Sequence, residues 1–386
     1  MTTDHHRMSK IWVVSEYTSS KQNSTGYFWE KAIHQLKSDG LQVDVLTLKE
    51  AVKNTTKKSI VERAGAKLMA AAKLAWATGR KAQKGDIVFS GTNPETLLFV
   101  LALLRKLIRF RWYVLVHDVF PENLVPAGIL KKESVYFRIL KTIFDWVYAQ
   151  PDRLFVIGRD MKELVDEKTG NPARSFFVHN WVDADQIFSL AKKKSKLIKS
   201  LGWEEKTVFQ FFGNMGRVQG IPNILRAIDQ VSSERAAFLF IGAGACVDLV
   251  SKYKKENPEK SFHYFGELPQ EQKNEGLAAC DVALISLEPG MYGLGVPSKA
   301  YFSMAADRPI LAVMDARSEI SLTVEENDIG WSCEADNPEK IARTIDLICN
   351  MDLSRYEGRS KKALQEKYSS TVALTKLSGL MQADMA

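Results

Sequence analysis

Twice along this chain, short runs of β-branched and aromatic residues alternate with stretches of helical period. No other feature restricts the fold as much. In the first half, Ile11–Val14, Gln42–Leu48, Asp86–Phe89, Trp112–Val116, Asp152–Ile157 and Ser175–Val178 read as strands, with helical patterns at Gly26–Asp39 and from Pro94 between them. In the second half, strands are expected at Thr207–Phe212, Ala236–Ile241, Phe262–Phe265, Asp281–Ser286 and Pro309–Val313, with helices at Ile221–Val231 and Pro297–Ala306. Alternation of this kind demands right-handed crossovers and a parallel sheet. At 386 residues the chain exceeds what one hydrophobic core usually supports. The expected architecture is α/β: two doubly wound, Rossmann-like domains over 1–185 and 186–352, facing a cleft. The Lys-rich stretch Ala191–Glu205 reads as part of the linker between them. In open α/β sheets ligands lie beyond the carboxyl ends of the strands, so chemistry is sought in the turns that follow each strand.

Two such turns stand out. Phe211–Ile221 ends a strand in a glycine-rich turn before a helix. Glycines let the backbone approach a ligand, the helix start offers unpaired N–H groups to an anion, and Arg217 can fork onto phosphate oxygens. The same sequence also suits a plain strand-to-helix turn. The second, Glu288-Pro-Gly-Met-Tyr-Gly-Leu-Gly-Val-Pro-Ser-Lys299, leads into a helix expected to start near Pro297. A cation in a first helical turn opposes the helix dipole. Lys299 is therefore either a solvent-pointing lysine or a residue whose penalty a bound diphosphate reverses. Ile241-Gly-Ala-Gly244 lacks the third glycine of the dinucleotide fingerprint, because residue 247 is Val, which argues against a dehydrogenase. His117 and Asp118 follow a strand and fall where ligands bind; a lone histidine there serves equally as a structural residue. No zinc-type ligand spacing is present.

Composition bears on compartment and partners. With 45% hydrophobic and 26% charged residues the chain is an ordinary globular one. Four dispersed cysteines without a Cys-x-x-Cys fit reduced thiols in a cytosolic protein. The start lacks the apolar core of a secretory signal, and the longest apolar run, Leu97–Leu104, is far short of the ~20 residues that span a bilayer. The net charge of +7 is uneven: residues 49–111 hold fourteen basic and four acidic side chains. Lys57–Lys84 reads as one basic amphipathic helix, with Ile60, Val61, Ala64, Leu68, Ala72 and Ala75 on its apolar face. Together with residues 105–111 it suits either peripheral contact with an anionic membrane or a helix packed on its own domain with a solvated basic face. No recognition helix or aromatic-interleaved basic strand appears, so no nucleic acid is expected as partner.

Gly213–Ile221, Ile241–Gly244, Tyr264–Leu268, Cys280–Ile285 and Val296–Lys299 followed by Met304–Ala306 occur in the order found in group-1 (family 4) glycosyltransferases. Val178–Asp183 also looks like the Asn-x-Val-Asp turn these proteins carry before the interdomain crossing. The chain resembles this family of retaining sugar-nucleotide enzymes with the GT-B fold, in particular its bacterial exopolysaccharide, capsule and O-antigen branch. The resemblance implies catalytic roles for His117, Arg217 and Lys299. It implies a diphosphate site from Arg217, Lys299, Gly26, Gly293, Leu294, Gly295, Val296 and Ser298, and a nucleobase site at Gly266 and Glu267. Asp118 would lie on the acceptor or sugar side, and the helices of 353–386 would return to the first domain. The donor would be a UDP-sugar, with a GDP-sugar as runner-up, and neither metal nor other cofactor is expected. A polyprenyl-diphosphate-linked or saccharide acceptor and a cytoplasmic location, peripheral at the inner face of the plasma membrane, complete the expectation. The chain departs from the family at its two glutamates, replaced here by Leu294 and Phe302, and at Asp307, where a glycine is usual. Glu288 is the candidate substitute carboxylate. A sugar-nucleotide epimerase of the same fold and a non-catalytic transferase-like partner are the alternatives.

Overall fold

The computed structural model describes residues 9–48, 60–183, 185, 187 and 190–385. The first lobe holds β1 (Ile11–Val14), β2 (Val43–Leu46), β3 (Ile87–Gly91), β4 (Arg111–Val116), β5 (Arg153–Val156) and β6 (Ser175–Phe177). They form one parallel sheet in the order β2-β1-β3-β4-β5-β6. Its helices are α1 (Ser24–Ser38), α2 (Ile60–Lys81), α3 (Glu95–Ile108), α4 (Val135–Tyr148) and α5 (Arg159–Thr169). From β2 onward every crossover moves the same way across the sheet, so right-handedness stacks α2 to α5 on one face, each touching the next. The inner strands β1, β3, β4 and β5 are buried on both faces and therefore read as continuous apolar runs, whereas the edge strand β2 alternates and exposes Asp44.

The second lobe repeats the plan with β7 (Thr207–Phe212), β8 (Ala236–Ile241), β9 (Phe262–Tyr264), β10 (Val282–Ser286), β11 (Ile310–Val313) and β12 (Gly330–Cys333), in the parallel order β12-β11-β10-β7-β8-β9. Its helices are α6 (Lys196–Leu201), α7 (Ile221–Gln230), α8 (Val247–Glu256), α9 (Lys273–Ala278), α10 (Lys299–Ala305), α11 (Glu319–Glu326) and α12 (Pro338–Cys349). Two more, α13 (Arg359–Ala363) and α14 (Ser370–Ala383), close the chain. α14 crosses back onto α1, where Arg153 and Tyr113 of the first sheet bond the Asp384 carboxylate. This is the GT-B arrangement of two α/β lobes with returning C-terminal helices.

The structure corrects three sequence expectations. β12 was not foreseen, because Gly-Trp-Ser-Cys is a part-exposed edge strand without a clear period. Ala191–Glu205 is not a linker: the buried Lys192 ammonium bonds Asp281 at 2.7 Å, and Ile198 and Trp203 pack into a core with Val208, Leu239 and Ile241. The inward stripe of α2 is Ala71, Leu74, Ala75 and Thr78, whereas Leu68 and Ala72 face out. Alanine marks an apolar face weakly, and contact with α3 selects the stripe. Residues 57–59 of the expected basic helix lie outside the described residues.

Candidate active site

In each sheet the strand order reverses once, and the crevice at a reversal is where open α/β sheets bind ligands. In the second lobe the reversal falls between β7 and β10. The turn after β7 carries Arg217, and the loop after β10 ends in Lys299. The two cations singled out from the sequence, 82 positions apart, thus belong to neighbouring strand ends. The turns after β8 (Gly242, Gly244) and β9 (Gly266, Glu267) continue the row outward. At about 4.8 Å per strand, β7 to β9 spans roughly 10 Å, enough to separate a diphosphate from its nucleobase.

The glycines make this row possible. Gly242 has φ +135°, and a Cβ on it would lie 2.0 Å from the Gly213 carbonyl. Its N–H instead donates to the Gly266 carbonyl at 2.7 Å, which locks the three turns together. Glu267 is exposed at the far end.

Lys299 is the first residue of α10, a helix whose start has no side-chain cap. Its ammonium donates to Gln219 Oε1 at 2.5 Å and to the Asn214 carbonyl at 3.4 Å, and lies 3.8 Å from the centre of the Phe211 ring. All of these are neutral groups, and burial lowers its pKa to about 7. Arg217 is exposed and forms no ion pair among the described residues. Two cations without an ion-pair partner among the described residues, at one strand reversal, are an arrangement suited to hold an anion. Gln219 escaped sequence reasoning as a Lys299 partner because a glutamine in a turn carries no signal of its own.

The rest of the loop meets the first lobe. Leu294 accepts the Val119 N–H at 3.1 Å, and Gly295 forms an antiparallel bridge with Asp118. Val296 packs near Gly158 and accepts from Asn180 at 3.5 Å. The Gly293 N–H goes to Asp160 Oδ2 and the Leu294 N–H to Met291, so these two amides are already committed within the protein. Ser298 precedes α10, and no side chain caps that helix. At Gly26, Asn23 Oδ1 accepts the N–H at 2.8 Å, and a Cβ would strike the Ser19 carbonyl at 2.1 Å. The glycine is there for close packing of the β1–α1 turn.

His117 and Asp118 follow β4 at this seam. Burial lowers the imidazole to about 4 and raises the Asp118 carboxyl to about 6. Their backbone N–H groups share Thr92 Oγ1, and His117 Nε2 has no partner among the described residues. The imidazole lies 6.0 Å from the Phe28 ring of α1, whereas the Asp118 carboxyl is influenced by Asn93, Lys67 of α2 and Glu95 of α3, so the two groups offer hydrogen bonds to hydroxyl groups from different sides of the strand end. Glu288 bonds Val218 through its N–H and lines a separate cleft with Asp315, Glu334 and Asp336. Burial raises its carboxyl, with Arg226 opposing.

The departures from the family pattern acquire physical reasons. Leu294 is buried at the lobe seam, and Phe302 lies 5.8 Å from the Tyr27 ring of α1. The positions expected to hold glutamates instead supply apolar contacts between lobes. Asp307 keeps a left-handed φ of +57°, and its carboxylate accepts the N–H groups of Gly358 and Lys361 at the start of α13. One further cluster had no sequence signal. Arg159, opening α5, bonds Glu319 and Glu326 of α11 across the seam, with Glu319 almost wholly buried.

Comparison with known proteins bears on the family and the fold. The sequence model of "Glycosyl transferases group 1" matches residues 193–366. A probable glycosyltransferase of Pseudomonas aeruginosa, WbjE, is 47% identical over 97% of this chain and 98% of its own. HepE of Anabaena, solved in complex with UDP, is similar in fold, with a TM-score of 0.68 over 97% of this chain and 100% of that one at 12% identity. The sucrose-phosphate synthase of Thermosynechococcus elongatus gives 0.72 over 97% and 98% of the two chains, also at 12% identity.

Proposed function

From the premise that the chain belongs to the group 1 glycosyl transferases, we propose that it moves a hexose from a UDP-sugar to a lipid-linked or saccharide acceptor. The transfer retains anomeric configuration, uses no metal, and serves cell-surface polysaccharide assembly at the inner face of the plasma membrane. The carrying observation is Lys299, a half-buried ammonium with only neutral partners that faces the turn of the unpaired Arg217. Both cations are assigned to the donor diphosphate, with Gly266 and Glu267 by the nucleobase. The UDP complexes of the Anabaena neighbour support uridine as carrier, and a GDP-sugar is the runner-up.

In the proposed reaction the bond from the anomeric carbon to the diphosphate oxygen breaks as the acceptor hydroxyl oxygen bonds to the same face. The hydroxyl proton passes to a phosphate oxygen. Arg217 and Lys299 neutralise the charge that develops on the leaving group, in a site preorganised before the sugar arrives. His117 and Asp118 hold the sugar from the first lobe. A panel of nucleoside diphosphates read by thermal melting tests the donor assignment, because a ligand at 100 times its Kd stabilises by about 2.7 kcal/mol. UDP is expected to give the largest shift. A flat response to UDP and GDP alike, with no transfer from either sugar class, would overturn the reading.

Lys299 adds a pH signature. An anion favours its charged form, so UDP binding should draw in a proton above pH 7. UDP affinity is then expected to fall by up to about tenfold per pH unit above 7, until the lysine of the complex itself titrates. Calorimetry in buffers of different ionisation heat reads the proton uptake; a pH-independent affinity between 7 and 9 would show that Lys299 is already charged in the free protein, and its place on the diphosphate would then rest on the transfer rate of Lys299→Ala.

A further inference from the structure

We infer that the outer face of the α2–α3–α4 layer is a docking surface for an anionic lipid bilayer, with α4 as its principal inserted element. This goes beyond the expected contact through 57–84 and 105–111, which omits α4. It rests on the proposed function only for the purpose of docking, the meeting with a lipid-borne acceptor.

The layer is built by topology: the successive same-direction crossovers put these helices side by side on one face of the first sheet, away from α1 and α14. A helix packed on a sheet should turn polar side chains outward. Here the outward stripes are apolar. On α4, Val135, Tyr136, Ile139 and Ile143 are exposed, Tyr136 by 74%. On α3, Phe99, Leu103 and Leu107 recur every four residues, with Leu107 79% exposed. On α2, Met69 and Trp76 continue the surface. Trp146 of α4 lies 6.1 Å from the Phe99 ring of α3, which joins those two stripes directly. Contiguous exposed apolar surface of this kind marks an interaction site.

Charge selects the occupant. Lys131, Lys132 and Arg138 border the α4 stripe, while Lys106, Arg109 and Arg80 border the other two, and none has an ion-pair partner among the described residues. The acids nearby are mostly consumed: Glu95 by Lys67, Asp152 by Arg105, Glu122 and Asp145 by Lys141 and Lys168, while Glu133 is exposed without an ion pair among the described residues. Lys106 and Arg80 lie over the indoles of Trp146 and Trp76, so cation and aromatic ring are presented together. Apolar side chains ringed by unpaired cations and tryptophan match the boundary between acyl chains and anionic headgroups. A second copy of the same face would bring like charges together. The connection from Asp118 to α4 runs through Ile129, itself exposed, so the apolar rim begins at the acceptor side of the cleft.

The test is co-sedimentation of the full chain with phosphatidylcholine vesicles with and without phosphatidylglycerol, at low and high salt. Wild type is expected to bind the anionic vesicles and to be partly released by salt. The variant Val135→Ser/Tyr136→Ser/Ile139→Ser/Ile143→Ser should partition roughly tenfold less or weaker still. Lys131→Gln/Lys132→Gln/Arg138→Gln should lose the salt-sensitive part and serves as the second probe should the first variant fold poorly. Circular dichroism and the UDP melting shift verify that the donor lobe is intact. Wild type that ignores anionic vesicles, or α4 variants that bind as wild type does, would overturn the proposal. So would concentration-dependent self-association that the α4 substitutions abolish without any vesicle binding. Transfer to a water-soluble acceptor should survive every variant; its absence in wild type would count against the transferase reading and leave the membrane result standing.

Discussion

Replacing Lys299 by alanine is expected to lower sugar transfer by roughly 10²- to 10³-fold, the usual effect of deleting one preorganised group that stabilises a leaving charge. The fold should survive. The ammonium makes no ion pair among the described residues and opposes the dipole of α10, so its burial costs the free protein stability. The linkage agrees in sign. Because the folded pKa is lowered to about 7, the unfolded chain holds more protons between there and the ordinary lysine value, and this residue makes stability rise with pH over that window. The alanine variant should lose that rise and melt no lower than wild type near neutral pH. Initial rates with a UDP-sugar donor, taken beside a melting curve, separate the two effects. Wild-type rates in a well-folded Lys299→Ala protein would refute the diphosphate assignment, and an unfolded variant would refute the claim that the site is strained for function.

Arg159→Ala should cost about 3 kcal/mol of stability, because it leaves a buried carboxylate without its cation. Glu319 is 1% exposed and accepts both the backbone N–H and the Nε of Arg159, at 2.8 and 2.9 Å. Burial already raises its carboxyl, with the arginine opposing. Without the arginine that rise grows. A carboxyl raised in the folded state contributes stability at low pH and loses it as pH climbs through the folded value. The deficit of the variant should therefore be smallest in mild acid and largest at neutral pH. Glu319→Gln, which removes the charge and keeps the shape, should be milder. Denaturation of the three proteins at pH 5 and 7.5 checks the pattern; an Arg159→Ala deficit below about 0.5 kcal/mol at both pH values would show that the seam does not depend on this pair. Because the neighbouring Asp160 holds the Gly293 N–H, the same substitution should also loosen the loop that carries Lys299.

The legible parts of this protein were those written in local chemistry. Eleven strands announced themselves, the inner ones through apolar runs, since strands covered on both faces need no polar alternation, and Gln42–Leu48 through its alternation. Arg217 and Lys299 could be singled out because a glycine-rich turn after a strand and a cation at a helix start are local patterns that stand out in a sequence. β12 stayed hidden because an edge strand is defined by what it pairs with. The inward face of α2 was misread by about one residue because alanines differ little in burial energy whichever way they point. The packing of 191–205 was missed because a run of lysines looks solvated, yet Lys192 lies buried on Asp281.

The seam between the lobes was the least legible region, and the partners of its amides show why. Gly26, Gly293 and Leu294 carry the glycine-rich signature, but their N–H groups go to Asn23, Asp160 and Met291. A motif states that the backbone must come close to something; it does not state to what. The exposed stripes of α3 and α4 were likewise invisible, since helical period alone cannot tell an inward apolar face from an outward one.

By itself, then, the sequence determined the α/β class, the two-sheet count and the two cations, all consequences of residue preferences acting over ten or so neighbouring positions. Only the tertiary structure decided that Arg217 and Lys299 sit on adjacent strand ends, that Arg159 finds Glu319 160 positions away, and that α2, α3 and α4 present one apolar surface. These depend on strand order and crossover hand, which set distances between remote residues and leave no trace in local pattern.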